Sequence, residues 1–270
     1  RQMCIRDRCW SYLNFVINEN IFVALFFLFN LAYNDKKGGG NMIGELNIYS
    51  CYSFQNSTIL IKDLCKRAHD LHLEAIALTD INNMYGAVEF SNECHKYDIK
   101  PIFGMQGNVN VEGEIYPFLL LAKDQVGYHD LMKICSDINL SDQKAIDLEK
   151  LRLYHEHLFI LSGCKEGIVE RCVLKELESE ALRYMALFKE MFKDNYYICL
   201  QDHGIQMQKH LNERLKALAK LQGIKVCASN EVRYLYPQEA FAIDLMQASV
   251  YGEKSCLLYT SPSPRDRQKS

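Results

Sequence analysis

From Met42 onward, apolar positions switch repeatedly between short strand-like runs and a 3.6-residue helical period. Glu45–Tyr49 reads as a short strand. Ser57 or Thr58 then stands where a helix N-cap is wanted, and Leu60, Leu64, Ala68 and Leu71 fall on one face behind it. Ala75–Thr79 is a compact apolar strand, followed by a helix carrying Ala87, Phe90 and Cys94. Lys100–Gln106 is the next strand. Glu112-Gly113-Glu114 predicts a turn into Ile115–Ala122, whose apolar run Phe118–Ala122 suits a strand covered on both faces.

The alternation continues with a helix over Tyr128–Ile138 and a strand over His157–Leu161. Glu178–Phe192 places Leu182, Met185 and Phe192 on one helical face, and Tyr196–Leu200 is a strand. Leu211, Leu215 and Leu218 mark another amphipathic helix, with Gly223 as its C′ residue. Lys225–Ser229 is the last strand, and Pro237 opens a final helix. Seven strands interleaved with helices predict an α/β domain with a mainly parallel sheet. Periodicity is neutral between an open sheet and a closed one.

The two ends break this pattern. The apolar run Ile21–Phe29 is shorter than the roughly 20 residues a membrane helix needs. A secretory leader would want a small-residue cleavage site before Asp35, and none is there. Lys36-Lys37-Gly38-Gly39-Gly40-Asn41-Met42 instead reads as a translated purine-rich ribosome-binding site followed by a start codon, so residues 1–41 are expected to be upstream read-through. The stretch from Cys256 to Arg267 resembles translated sequencing adapter, which makes 255–270 a second non-native tail. The alternative is two short natural tails. The expected domain is 42–254.

Composition narrows the class. Of the 270 residues 49% are hydrophobic and 24% charged, which excludes a disordered chain. Residues 42–254 carry 23 Lys and Arg against 30 Asp and Glu, a balance of −7 that argues against gripping nucleic-acid phosphates. Eleven cysteines occur without CxxC or CxxxC spacing, which points to a reducing, cytoplasmic setting. No glycine-rich phosphate loop and no G-x-S-x-G elbow occurs. His155 and His157, flanking Glu156 before a strand, read as an exposed pair and not as metal ligands.

Three polar clusters follow strand ends, where α/β folds place their sites. They are Thr79-Asp80, Gln201-Asp202-His203-Gly204 and Ser229-Asn230-Glu231-Val232-Arg233-Tyr234. Each taken singly could be a polar loop that caps the next helix. Their order, with Leu46–Ser50, Met84–Phe90, Lys100–Gly104 and Leu161–Cys164, resembles the polymerase and histidinol phosphatase (PHP) domain found at the N-terminus of bacterial DNA polymerase III alpha subunits. The resemblance spans residues 43–250. It implies a distorted seven-stranded β/α barrel, with any metal centre at the strands' carboxyl ends.

The resemblance also implies that most ligands of such a centre have been replaced. Asn47 and Tyr49 stand where metal-binding members carry a His-x-His pair, and Asn56 stands for an aspartate. Ile81 replaces a histidine, Gln106 a glutamate and Cys199 a carboxylate, while Glu231 and Arg233 occupy an Asp and a His position. Asp80 and His203 survive, with Glu231 as a further possible ligand. Amides are weak ligands, Ile is none, and Arg233 would add a fixed positive charge where the cation sits. The expectation is therefore a metal-free, structural or interaction domain, with Arg233 in ion-pair reach of Asp80 or Glu231.

On this reading the fragment carries no catalytic residue, metal or cofactor. The parent polymerase would use Mg, and its two-metal carboxylates would lie downstream. Expected partners are the downstream polymerase domains and other replisome subunits, with DNA met only through the parent protein. The competing functions are a stand-alone phosphoesterase acting on a sugar or amino-alcohol phosphate, and a 3′–5′ proofreading exonuclease. The ligand losses weigh against both.

Overall fold

The computed structural model describes residues 44–163, 166–203 and 206–251. The expected read-through segment 1–41 and the whole of the expected 255–270 tail lie outside these residues. Strands β1 (Gly44–Glu45), β2 (Ala75–Leu78), β3 (Lys100–Val111), β4 (Glu114–Ala122), β6 (Leu158–Leu161), β7 (Tyr196–Leu200) and β8 (Lys225–Ala228) form one sheet in that spatial order, and β5 (Ile146–Asp147) pairs with β3. β4 runs antiparallel to both its neighbours, and every other pairing is parallel.

The sheet curls until its first and last edges meet. Ile48 and Val232 form a parallel bridge. It is made by Tyr49 N–H donating to Val232 O at 3.0 Å and Val232 N–H to Asn47 O at 2.9 Å. Ser229 Oγ adds a bond to Glu45 Oε1 at 2.7 Å across the same seam. The seven-stranded α/β barrel expected from the sequence is thus present, distorted by the one antiparallel strand.

Helices α1 (Ile61–Asp70), α2 (Ala87–Lys96), α3 (Gln125–Leu140), α4 (Leu148–Leu151), α5 (Ile168–Leu174), α6 (Glu178–Phe192), α7 (Gln206–Gln222) and α8 (Ala240–Tyr251) complete the fold. α1 buries Ile61, Leu64, Cys65 and Ala68, each large apolar side chain contributing about 1.5–3 kcal/mol. Asp63 in its first turn and Arg67 and His69 in its last complement the helix dipole. The cap differs from expectation. Leu60 is the N-cap residue and makes no side-chain cap, because Ser57 Oγ is committed to Tyr49 O at 2.6 Å and accepts from Ile59 N. Thr58 Oγ1 is buried without a hydrogen-bond partner.

Two further boundaries moved. β3 continues past Gln106 to Val111 because it pairs with β4 through a tight hairpin. Both turn residues, Glu112 (φ 55°) and Gly113 (φ 89°), lie in the left-handed region that a two-residue hairpin of the primed type requires. The strand expected over Glu45–Tyr49 is a two-residue ladder followed by the isolated bridge at Ile48. α5 and β5 were not legible in the apolar spacing at all.

Candidate functional site

The segments that follow β1 and β8, with Gln106 in mid-β3, bring Tyr49, Asn56, Gln106, Glu231 and Arg233 together, while Asp80 follows β2, Cys199 sits within β7 and His203 follows it. Gly104 makes the convergence possible. A Cβ there would lie 2.6 Å from Leu120 O and 2.8 Å from Thr79 Cγ2, so only glycine lets β3 pass this close to the end of β2. Gln106 and Ile81 then pair as an isolated parallel bridge, and Asn82 N–H donates to Gln106 O at 2.8 Å.

One set of side chains forms a continuous polar chain. The Tyr49 hydroxyl donates to Gln106 Oε1. The guanidinium of Arg233 lies 5.1 Å from the centre of the Tyr49 ring, a cation–π arrangement. The same guanidinium donates to Asn56 Oδ1 at 3.0 Å and to Glu231 Oε2 at 2.9 Å. Of the two carboxylates proposed as Arg233's partners, the structure gives it Glu231. The pair is half-sheltered, with side-chain exposures of 13% for Arg233 and 26% for Glu231.

Asp80 is held differently. Only 1% exposed, it accepts from Ser50 N and Ser50 Oγ at 2.7 Å each and from Ser53 Oγ at 2.6 Å. Burial raises its pKa above the ordinary carboxylate value, and the three donors oppose that rise without cancelling it. Ser50 and Ser53 build this cradle, and neither was singled out from the sequence, where Ser50 entered only inside the Leu46–Ser50 string. Their signal, two hydroxyls three apart after a strand, is too common to be read without the fold.

The remaining residues have their own company. Asn47 Oδ1 accepts from Thr79 Oγ1 at 3.1 Å. Cys199 is buried in β7, with its N–H on Ser162 Oγ at 2.9 Å and its Sγ 3.6 Å from Ser229 O. His203 Nδ1 lies 2.7 Å from Gln208 Nε2, and its backbone N–H donates to Gln208 Oε1. Asn230 ties the last two loops together by accepting from Asp202 N at 2.9 Å and donating to Asp202 O at 3.2 Å. His157, outside this face, binds Asp124 Oδ2 through Nδ1 at 2.7 Å.

Behind Cys199 lies a second buried acid. Glu170, in the first turn of α5, accepts from Ser162 Oγ through Oε1, while its Oε2 has no hydrogen-bond partner among the described residues. Burial lifts its pKa to about 7. The Tyr196 hydroxyl is likewise buried without a hydrogen-bond partner.

Among the described residues, no three His, Cys, Asp or Glu side chains gather so as to hold a metal ion. The groups that do converge are a phenol, two amides, a guanidinium and the single carboxylate of Glu231, already joined to one another by hydrogen bonds, an ion pair and a cation–π contact. That set does not fit a zinc or manganese centre, which needs imidazoles and carboxylates with free lone pairs.

A curled sheet whose strand ends carry these motifs defines a β/α barrel of the PHP class, and residues 45–203 match the PHP-domain family model. The chain belongs to that family. It is 31% identical over 224 residues to "DNA polymerase III subunit alpha" of Borreliella burgdorferi, covering 78% of this chain and 20% of that protein. The protein of the same name from Deinococcus radiodurans is 32% identical over 225 residues, covering 76% and 17%. The chain therefore spans about one-fifth of the length of these curated relatives. A protein from Bifidobacterium adolescentis proposed to be a metal-dependent phosphoesterase shares the fold, with a TM-score of 0.50 at 10% identity over 72% of this chain and 89% of that one. Among the described residues no helix is long and apolar enough to cross a membrane.

Proposed function

We propose that this chain is the N-terminal PHP portion of a bacterial DNA polymerase III alpha subunit, acting in DNA replication in the cytoplasm. In this reading it is a structural and interaction domain whose metal centre has been replaced by hydrogen bonds and one ion pair. The observation that supports it is the Gln106–Tyr49–Arg233–Glu231 chain, made of residues at positions for which the resemblance implies metal ligands. Arg233 supplies positive charge beside Glu231, as a cation would, without offering a Lewis acid.

The nucleotidyltransferase activity, with its Mg, belongs to the parent protein. The domain's partners are the downstream polymerase domains of the same chain and other replisome subunits. DNA is contacted through the parent, because the acidic balance of residues 42–254 disfavours a phosphate grip.

Two measurements test this. Genomic DNA read past codon 255 should continue in frame for many hundreds of codons into polymerase motifs. The purified chain, supplied with manganese or zinc, should release neither phosphate from phosphate esters nor mononucleotides from DNA. Metal-dependent release that disappears in Asp80→Ala would replace this reading with an active phosphoesterase or exonuclease.

A further inference from the structure

Helices α1 and α2 follow the two loops that build the Asp80 cradle. Ser50 and Ser53 precede α1, and Asp80 itself precedes α2. The helices meet closely at their first turns, where a Cβ on Gly86 would lie 2.6 Å from Ile61 Cδ1. Further along, Cys65, one turn into α1, and Cys94, about two turns into α2, face each other, both fully buried and both free thiols, with their sulfurs 3.6 Å apart.

That separation is van der Waals contact between sulfurs. A disulfide needs about 2.05 Å, so the sulfurs must close by about 1.5 Å. Rotation about χ1 is the side-chain motion that moves each sulfur, and it is the route by which the gap would close. Among the described residues, the two sulfurs belong to no group of three His, Cys, Asp or Glu that could hold a metal ion.

We propose that Cys65 and Cys94 are a modification site, a dithiol that low-molecular-weight disulfides oxidise to a Cys65–Cys94 bond stapling α1 to α2. One thiolate attacks the small disulfide RSSR and expels RS⁻, leaving a mixed disulfide on the protein. The second thiol loses its proton and attacks that protein sulfur, expelling the second RS⁻. Two S–H bonds break, one protein S–S bond forms, and RSSR is reduced to two RSH that take up the protons.

The reaction is slow by construction. Both sulfurs are reached only when the helix pair opens locally. The contact with Cys65, followed by burial, pushes the Cys94 thiol well above its ordinary pKa and keeps thiolate scarce. Once made, the bond is shielded from reductants by the same burial.

The test is to incubate the full chain with oxidised glutathione without denaturant, block free thiols, and identify linked peptides by mass spectrometry. The expected product joins the Cys65 and Cys94 peptides, two hydrogens lighter than their sum, and dithiothreitol releases it. It should be absent from Cys65→Ser and from Cys94→Ala. Oxidation should raise Tm by about 5–10 °C in the parent chain and not in either variant. Recovery of both peptides as blocked thiols, or each carrying glutathione with no linked product, would overturn the proposal. A linked product with Tm unchanged would overturn the stapling role.

Discussion

Asp80 and Glu170 are both carboxylates buried beside the carboxyl ends of barrel strands, yet their surroundings differ sharply. Asp80 accepts three hydrogen bonds from Ser50 and Ser53, whereas Glu170 has one hydroxyl on Oε1 and no hydrogen-bond partner on Oε2 among the described residues. Burial raises both pKa values, but for Glu170 the rise reaches about 7. Burial sets the direction of a shift, and the number of donors decides how much of it survives. A buried carboxylate can serve as a hydrogen-bond hub when hydroxyls surround it. Without such donors it is held as the neutral acid at mildly acidic pH.

The largest effect should come from removing the hub. Asp80→Ala leaves three buried donors without their acceptor and opens a small cavity, a loss of about 3–5 kcal/mol. Urea unfolding measures it, and Asp80→Asn should lose much less because one oxygen stays in place. Equal losses for the two variants would mean that the hydroxyls do not hold Asp80.

The next effect is a pH dependence. Glu170 binds its proton more tightly folded than unfolded, with the pKa rising from an ordinary 4.5 to about 7. Its contribution is therefore full below pH 4.5 and lost as pH rises through 7, a fall of about 3 kcal/mol. The raised Asp80 pKa acts with the same sign. Unfolding free energy measured from pH 4.5 to 8 should decline in the parent chain, and Glu170→Gln should remove most of that slope. An unchanged slope in the variant would assign the dependence elsewhere.

The smallest effect concerns a third carboxylate, Glu231, which is paired with a cation in partial solvent. Arg233→Met keeps the contact with the Tyr49 ring and removes the charge. With 13% and 26% exposure, the pair lies between the surface and buried limits, so the expected loss is about 1–2 kcal/mol. A urea midpoint unchanged within error would mean that the ion pair does not stabilise the strand-end face.

Much of this was legible beforehand. The apolar blocks at Ala75–Thr79, Phe118–Ala122, His157–Leu161 and Tyr196–Leu200 lie on observed strands, because fully covered strands leave unbroken apolar runs. Tyr49, Gln106, Asn56, Glu231 and Arg233, picked out from separate short strings, lie in contact with one another in the fold. The helix start at Ile61 was misplaced because Ser57 is taken up by Tyr49 O, a contact between segments that no local rule contains. α5 was missed because most of its residues are buried, Glu170 among them, and an almost wholly buried helix shows no polar face to mark its period.

The sequence by itself determined the alternation of strands and helices, the residue types at the strand ends and the acidic balance. Those are properties of residue type and spacing. Tertiary structure alone decided that Arg233 takes Glu231, that Ser50 and Ser53 satisfy Asp80, and that Glu170 keeps one oxygen without a hydrogen-bond partner. It also decided that Cys65 meets Cys94 across two helices. The Asp80 and Cys65–Cys94 contacts join residues 27 to 30 positions apart, and the Tyr49 and Asn56 contacts that hold Arg233 beside its near neighbour Glu231 cross the barrel seam, so tertiary packing sets them and no local preference does.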